Sequence, residues 1–174
     1  MLLQKIVYFN DKLFFINSYD KIKKEEIVKA VIQRVKSAEL KVDGKLISKI
    51  GRGLVVYFCV EKDDDEGLIS YFSNKIGNLR IFSDAFGKMN LSVKDVGGEI
   101  LLISQFTLAG DVSHGFRPSF TTAETPERAN KIYLLLASEL NKTAPTKTGV
   151  FGADMQILQE NDGPVTIILE RKEK

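Results

Sequence analysis

A chain of 174 residues with 44% hydrophobic and 28% charged residues fits one globular domain with a proper core, since a chain of this size buries about 70% of its unfolded surface. Those proportions exclude a disordered polar chain, and no window approaches the roughly 20 apolar residues of a membrane-spanning helix. A net charge of +2 is too mild to attract nucleic acid through bulk electrostatics, so any RNA contact must be local.

Near the N-terminus, Ile6 to Phe9 and Lys12 to Ile16 pair as a hairpin about Asn10-Asp11, and Asp20 to Glu26 reads as a connector. The start lacks the apolar stretch of a secretory signal, so a cytoplasmic protein is expected. A strand then runs from Val28 to Val42. Asp43-Gly44 turns it back into Lys45 to Ile50, because glycine accepts positive φ without a Cβ clash. Gly51-Arg52-Gly53 releases a buried strand, Leu54 to Val60. It holds the single cysteine, Cys59, which excludes an internal disulfide, suits a reducing compartment and reads as core.

The acidic run Glu61 to Glu66 is better explained as the opening of a helix, where carboxylates favour the macrodipole, than as a metal site. Leu68, Ile69, Phe72, Ile76 and Leu79 follow at helical spacing. Short extended pieces come next at Arg80 to Phe82 and Asn90 to Val93, with Gly97-Gly98 as a turn. Glu99 to Leu108 is apolar enough for a central strand buried on both faces. Ala109 to Ala123 has no period and reads as a functional long loop. Thr125-Pro126 opens a second helix with Ile132, Leu135, Leu136 and Leu140 as its buried stripe, ended by Pro145 at the latest. Val150-Phe151 and Met155 to Gln159 are further extended segments, and Asp162-Gly163 turns into Pro164 to Leu169.

His114 is the single histidine. It sits in a Gly-rich loop with nothing to orient it, which argues against Ser-His-Asp and Cys-His centres and against zinc. Phosphate-binding glycine loops are absent. Ser104, Gln105 and Thr107 remain as polar groups at a strand end, where they either satisfy nearby backbone groups or serve a site. Gly163-Pro164 is by itself compatible with a plain turn.

Read together, Val31 to Val35, Gly51 to Leu54, Arg80 to Asp84, Gly87 to Asn90, Ser104-Gln105-Phe106-Thr107-Leu108, Arg117 to Phe120, Phe151 to Met155 and Asn161-Asp162-Gly163-Pro164-Val165-Thr166 closely resemble the D-aminoacyl-tRNA deacylases, in order and over about Val28 to Glu170. The resemblance implies a cytoplasmic homodimer, needing no metal or other cofactor, that hydrolyses the ester of D-aminoacyl-tRNA and of mischarged glycyl-tRNA. It implies that Gly163 and Pro164 form a cis pair entering the neighbouring subunit's pocket, fixed by Arg34. Ser104, Gln105, Phe106 and Thr107 would form the catalytic strip, and Ala123, Phe151 and Met155 would line the substrate pocket.

That design suits the task. An apolar pocket separates ligands differing by a methylene by only ~1–3 kcal/mol, so L-residues must be repelled by a fixed carbonyl standing where their side chain would go. Thr107 is a possible nucleophile, but no base is visible to activate it. The favoured alternative is water attack assisted by the adenosine 2′-hydroxyl, with N–H groups near Phe106 and Thr107 on the oxyanion.

Residues 1–27 precede the deacylase domain, 28–174, and are either an added hairpin or upstream sequence with Val28 near the true start. Two rival functions are a non-catalytic tRNA-binding module using Arg34, Arg52, Lys88 and Arg117, and a general small-molecule esterase. The expected fold is α/β, a layered β/β/α arrangement in which two sheets form a partial barrel with two main helices on one side.

Overall fold

In a computed structural model the chain is described over residues 6–9, 12–15, 28–62, 64 and 66–171. Strands β1 (Ile6–Phe9) and β2 (Lys12–Phe15) pair antiparallel with Phe9 opposite Lys12, and the Asn10-Asp11 step between them lies outside the described residues. The long strand β3 (Val28–Val42) hairpins into β4 (Lys45–Ile50) through Asp43 and Gly44, at φ 49° and 74°. Both central residues in the left-handed region make a turn whose twist matches the strands it joins.

A six-stranded sheet carries the fold, in the order β10-β3-β5-β8-β9 with β4 on the remaining stretch of β3. Its other members are β5 (Gly53–Cys59), β8 (Glu99–Ser104), β9 (Thr146–Thr148) and β10 (Gln156–Arg171). The antiparallel side is β10, β3, β4 and β5, while β5-β8 and β8-β9 run parallel. The free side of β4 returns towards β9, where Ser48 Oγ donates to the Thr148 carbonyl at 2.6 Å and Lys147 Nζ to that of Lys49 at 2.6 Å. These bonds draw the sheet towards a barrel. A small second sheet joins β6 (Phe82–Ser83) to β7 (Met89–Leu91). The mixed layered arrangement expected from the sequence is therefore present, with most of the barrel built by one sheet.

Period-two alternation on β5 and β8 explains why both faces of the sheet are apolar. Leu54, Val56, Phe58, Ile100 and Leu102 face the helices α1 (Gly67–Asn78) and α2 (Pro126–Asn141), meeting Phe72, Ile76, Ile132, Tyr133, Leu136 and Leu140. Val55, Leu101 and Ile103 face the other way, into a second cluster with Val35, Ala38, Leu40 and Ile50.

Several expectations are corrected. The acidic run does not form a first helical turn, for α1 starts at Gly67 with no acid in that turn. Asp64 instead accepts the Glu61 N–H at 2.6 Å, and Glu61 pairs with Lys29 at 3.4 Å; Asp63 and Asp65 lie outside the described residues. Leu135 is not buried but 37% exposed, and Tyr133 takes its place in the buried stripe. Strand β8 stops at Ser104 rather than Leu108. Gln105 N–H makes a last bond to the Phe58 carbonyl at 2.8 Å, and Phe106–Ala109 then coils into a 3₁₀ turn. The extended segment lies at β9, whereas Val150-Phe151 enters a turn closed by Ala153 N–H on the Val150 carbonyl at 3.2 Å.

The largest correction concerns β10. It is one strand paired with β3 along its length, not two strands about a turn. Asn161 pairs with Val35 and Thr166 with Gln33, so Asp162 to Val165 stand opposite the single residue Arg34. The surplus cannot stay in the ladder and is pushed out as a bulge.

Candidate functional site

Two separate structures carry the residues singled out in the sequence. The first is a cavity of about 480 Å³ beneath the 3₁₀ turn, lined by Ser104, Gln105, Phe106, Ala123, Phe151 and Met155 together with residues at the end of β5 and on α2. Its floor is the end of β5, Phe58 to Val60. Ala123 is brought to the rim because segment 122–124 is laced along the chain just past β5: Lys62 N–H bonds the Thr122 carbonyl at 2.8 Å, and Glu124 N–H that of Val60 at 3.1 Å. Phe151 is held by a turn whose Gly149 N–H donates to the Leu102 carbonyl at 3.1 Å. Tyr133 supports it from α2 at a ring distance of 6.0 Å and donates its hydroxyl to the Leu102 carbonyl at 2.8 Å.

The ionisable groups lining this cavity are Cys59, Glu124, Tyr133 and Asp154. Burial pushes the Cys59 thiol up to about 12, with Glu61 adding to the effect, and burial pushes the Tyr133 phenol up to about 12. Neither forms an anion near neutral pH, so the thiol is no nucleophile. Burial drives Glu124 upward, but the Thr125 N–H and Arg128 outweigh it and hold the carboxyl below the usual range. That carboxylate is already engaged. Asp154 is exposed.

Thr107 does not line the cavity. It stands one residue beyond, exposed, with its hydroxyl accepting a hydrogen bond from Gln105 Nε2. As Leu108 N–H bonds the Gln105 carbonyl and Gly110 N–H that of Thr107, the first N–H groups of the 3₁₀ turn, on Phe106 and Thr107, have no partner within it.

The second structure is the β10 bulge with Gly163 and Pro164. The Gly163-Pro164 peptide is cis and Gly163 has φ 133°. A Cβ there would come within 2.9 Å of the Val165 backbone nitrogen, so only glycine fits without displacement. Proline is tolerated because the bulge has left the ladder and needs no N–H. Arg34, largely buried, anchors it: Nε donates to the Asp162 carbonyl at 3.0 Å and lies 3.2 Å from its carboxylate, while Nη1 reaches the Ile81 carbonyl. Arg34, Gly163 and Pro164 are absent from the cavity wall of their own chain.

Of the remaining cations named in the sequence, Arg52 lies over the Phe82 ring at 5.3 Å, while Lys88 and Arg117 are exposed. His114 sits on the exposed loop. Among the described residues no group of three His, Cys, Asp or Glu is placed to hold a metal ion, and no helix is long and apolar enough to cross a membrane. The cavity also contains groups that sequence reading missed as site residues. The sequence pattern marks Cys59 as core and does not single out Tyr133, although a tyrosine beside an apolar helical stripe is a polar tip in need of a partner. Glu124 had no signal, since its position depends on the lacing to Val60.

Comparison with known proteins adds a second line. Residues 31–170 match the family described as D-Tyr-tRNA(Tyr) deacylase. Proteins named D-aminoacyl-tRNA deacylase from Thermoanaerobacter sp. (strain X514) and Persephonella marina (strain DSM 14350 / EX-H1) are 52% and 53% identical over 146 and 143 residues, covering 83% and 82% of this chain and 98% and 97% of theirs. A solved structure titled c-Myc DNA Unwinding Element Binding Protein is 44% identical with a TM-score of 0.78, over 82% of this chain and 98% of that one. Another, titled as a probable eukaryotic D-amino acid tRNA deacylase, shares the fold at a TM-score of 0.74 and 16% identity, over 83% of this chain and all of that one.

Proposed function

This chain belongs to the D-Tyr-tRNA(Tyr) deacylase family, and on that premise we propose that it is a hydrolase cleaving the ester between a D-amino acid and the terminal adenosine of tRNA, in the cytoplasm. The observation that carries the reading is the separation of the two structures. The cavity has the depth and apolar lining for an aminoacyl group. The Gly163-Pro164 bulge is not part of that cavity's wall, and in this reading it completes the pocket of a second copy. Leu158 and Ile168, 70% and 68% exposed on β10 to either side of the bulge, are apolar surface that such a partner would cover.

In that homodimer the bulge's main chain occupies the space an L side chain would need. D-residues of many sizes and glycine, which lacks a side chain, are accepted. Catalysis rests on position and hydrogen bonding. Cys59 and Tyr133 stay neutral and Glu124 is engaged, which leaves Asp154, exposed, as the cavity's one carboxylate without a partner among the described residues; in this reading water attacks the ester carbonyl with help from the adenosine 2′-hydroxyl, and the Phe106 and Thr107 N–H groups receive the oxyanion. Contacts of that kind are worth ~3–4 kcal/mol in other enzymes. Residues 28–174 form the deacylase domain, preceded by 1–27, either an added hairpin or upstream sequence.

Matched D- and L-tyrosyl-tRNA, glycyl-tRNA and a simple ester such as p-nitrophenyl acetate test the reading. Selective release of D-tyrosine and glycine is expected. Binding without cleavage would favour the RNA-binding module, cleavage of the simple ester without tRNA a general esterase, and equal cleavage of both enantiomers would sink the chiral mechanism. The buried Arg34 weakens the RNA-binding alternative, because that cation is committed to the Asp162 and Ile81 carbonyls.

A further inference from the structure

The loop between the catalytic strip and α2 holds a feature the pocket does not use. Asp111 and Ser119 exchange both backbone hydrogen bonds, at 2.8 and 2.9 Å, and so close residues 112–118 into a separate tip. Its base is welded to the cavity rim: the Phe120 ring meets that of Phe106 at 5.2 Å, Thr122 Oγ1 donates to the Ala109 carbonyl at 3.4 Å, and Phe106 and Ala123 line the cavity. Every residue of the tip is exposed, and Phe116 is 107% exposed. No part of that ring is covered by its own chain.

A bare aromatic with a guanidinium next in sequence is the chemistry that holds single-stranded nucleic acid, the ring stacking on a base and the cation taking a phosphate. Arg117 makes no hydrogen bond or ion pair among the described residues. The acid of the loop, Asp111, stands at its base and accepts the Ser113 N–H at 2.8 Å, while the tip itself, 112–118, holds no Asp or Glu and Arg117 as its one Lys or Arg. Phe116 is three residues from Ser119, hence within about 10 Å of the loop base, the length of about three stacked nucleotides.

We propose that the 112–118 tip is a stacking platform for the unpaired 3′ tail of the substrate tRNA, Phe116 packing on a base upstream of the terminal adenosine and Arg117 contacting the adjoining phosphate. This rests on the deacylase reading of the cavity.

The test compares kcat/KM on D-tyrosyl-tRNA with that on 3′-O-D-tyrosyl-adenosine, which lacks the tail. For Phe116→Ala the ratio falls by roughly 5- to 100-fold, and Phe116→Tyr restores it. For Arg117→Ala the slope of log kcat/KM for the tRNA against log salt flattens by about 0.7. The chain has no tryptophan, so F116W supplies a single reporter whose emission is quenched by the RNA oligonucleotide ACCA. An unchanged ratio, or no quenching, overturns the proposal, as does dissociation of the oligomer on Phe116→Ala, which would assign the ring to a second copy. If the wild-type protein failed to cleave either D-ester, the deacylase reading would fall, while the quenching experiment would still decide whether the tip holds RNA.

Discussion

The cavity and the β10 bulge are opposites in construction. The cavity is concave, assembled from four stretches of sequence, and its shape is set by side chains that pack on the helices. The bulge is convex, comes from one stretch, and presents main chain held by a single arginine. The first tolerates variety in what it admits, since apolar walls discriminate weakly, whereas the second is stiff. If the insert of one copy serves the receptacle of another, as proposed, strict handedness becomes compatible with a permissive pocket.

Arg34→Ala should break that division most severely. It strips a charged donor from both the Ile81 and Asp162 carbonyls, a loss of roughly 3 kcal/mol that would lower Tm by about 10 °C in a domain of this size, and it frees the bulge. Arg34→Lys should recover only part, because one ammonium cannot span both carbonyls. A melting curve with D- and L-tyrosyl-tRNA assays checks both claims; full activity in the alanine variant would separate the bulge from the site.

Gly163→Ala comes next. Its Cβ would press on the Val165 backbone and on Arg34 at 3.2 Å from Nη2, shifting the insert while leaving the cavity intact. Deacylation of D-tyrosyl-tRNA should drop about 100-fold, with the far-UV spectrum unchanged. A mixed dimer in which one chain carries Gly163→Ala and the other a cavity block at Ala129→Phe should keep one working site if the insert acts across subunits, and none if it acts within its own chain.

Alkaline unfolding tests the cavity alone. Cys59 and Tyr133 are kept neutral in the fold, with values raised from 9.0 and 10.0 to about 12 each. The unfolded chain releases these protons first, so their stabilising contribution is whole below pH 9 and is lost as pH rises towards 12. Cys59→Ala should remove the early part of that decline in urea titrations at pH 8 to 11, and a decline of equal steepness would show that the thiol is not the cause. Thr107→Ala is expected to be the mildest change, under about 10-fold in turnover, since the hydroxyl sits outside the cavity on Gln105; collapse to background with intact binding would instead make Thr107 a nucleophile.

Much of the frame was legible because it depends on local physics. The Asp43-Gly44 turn, the apolar runs of β5 and β8 and the stripes of both helices follow from backbone preference and periodicity. Failures came where a neighbour decided the outcome. Thr146-Lys147-Thr148 carries no apolar signal, yet β8 recruits it as a parallel strand. Ser104 ends its strand because the partner strand β5 ends at Cys59. Asp162-Gly163 has the composition of a turn, but β3 pairs on both sides of it and converts it into a bulge. In the candidate site, Ser104 to Phe106 and Gly163-Pro164 stood out as motifs, whereas Glu124 and Tyr133 entered it only through contacts made by other segments.

Sequence alone therefore determined the family, the succession of strands and helices and the residue types available for chemistry, because turn geometry, apolar periodicity and motif order are properties of nearby residues. Tertiary structure decided which of those residues share a cavity, that the glycine-proline pair stands outside its wall, and that Arg34 is committed to carbonyls inside the protein. The reason is physical: hydrogen-bond pairing between strands distant along the chain sets register, and register determines whether surplus residues stay in a sheet or are driven out of it.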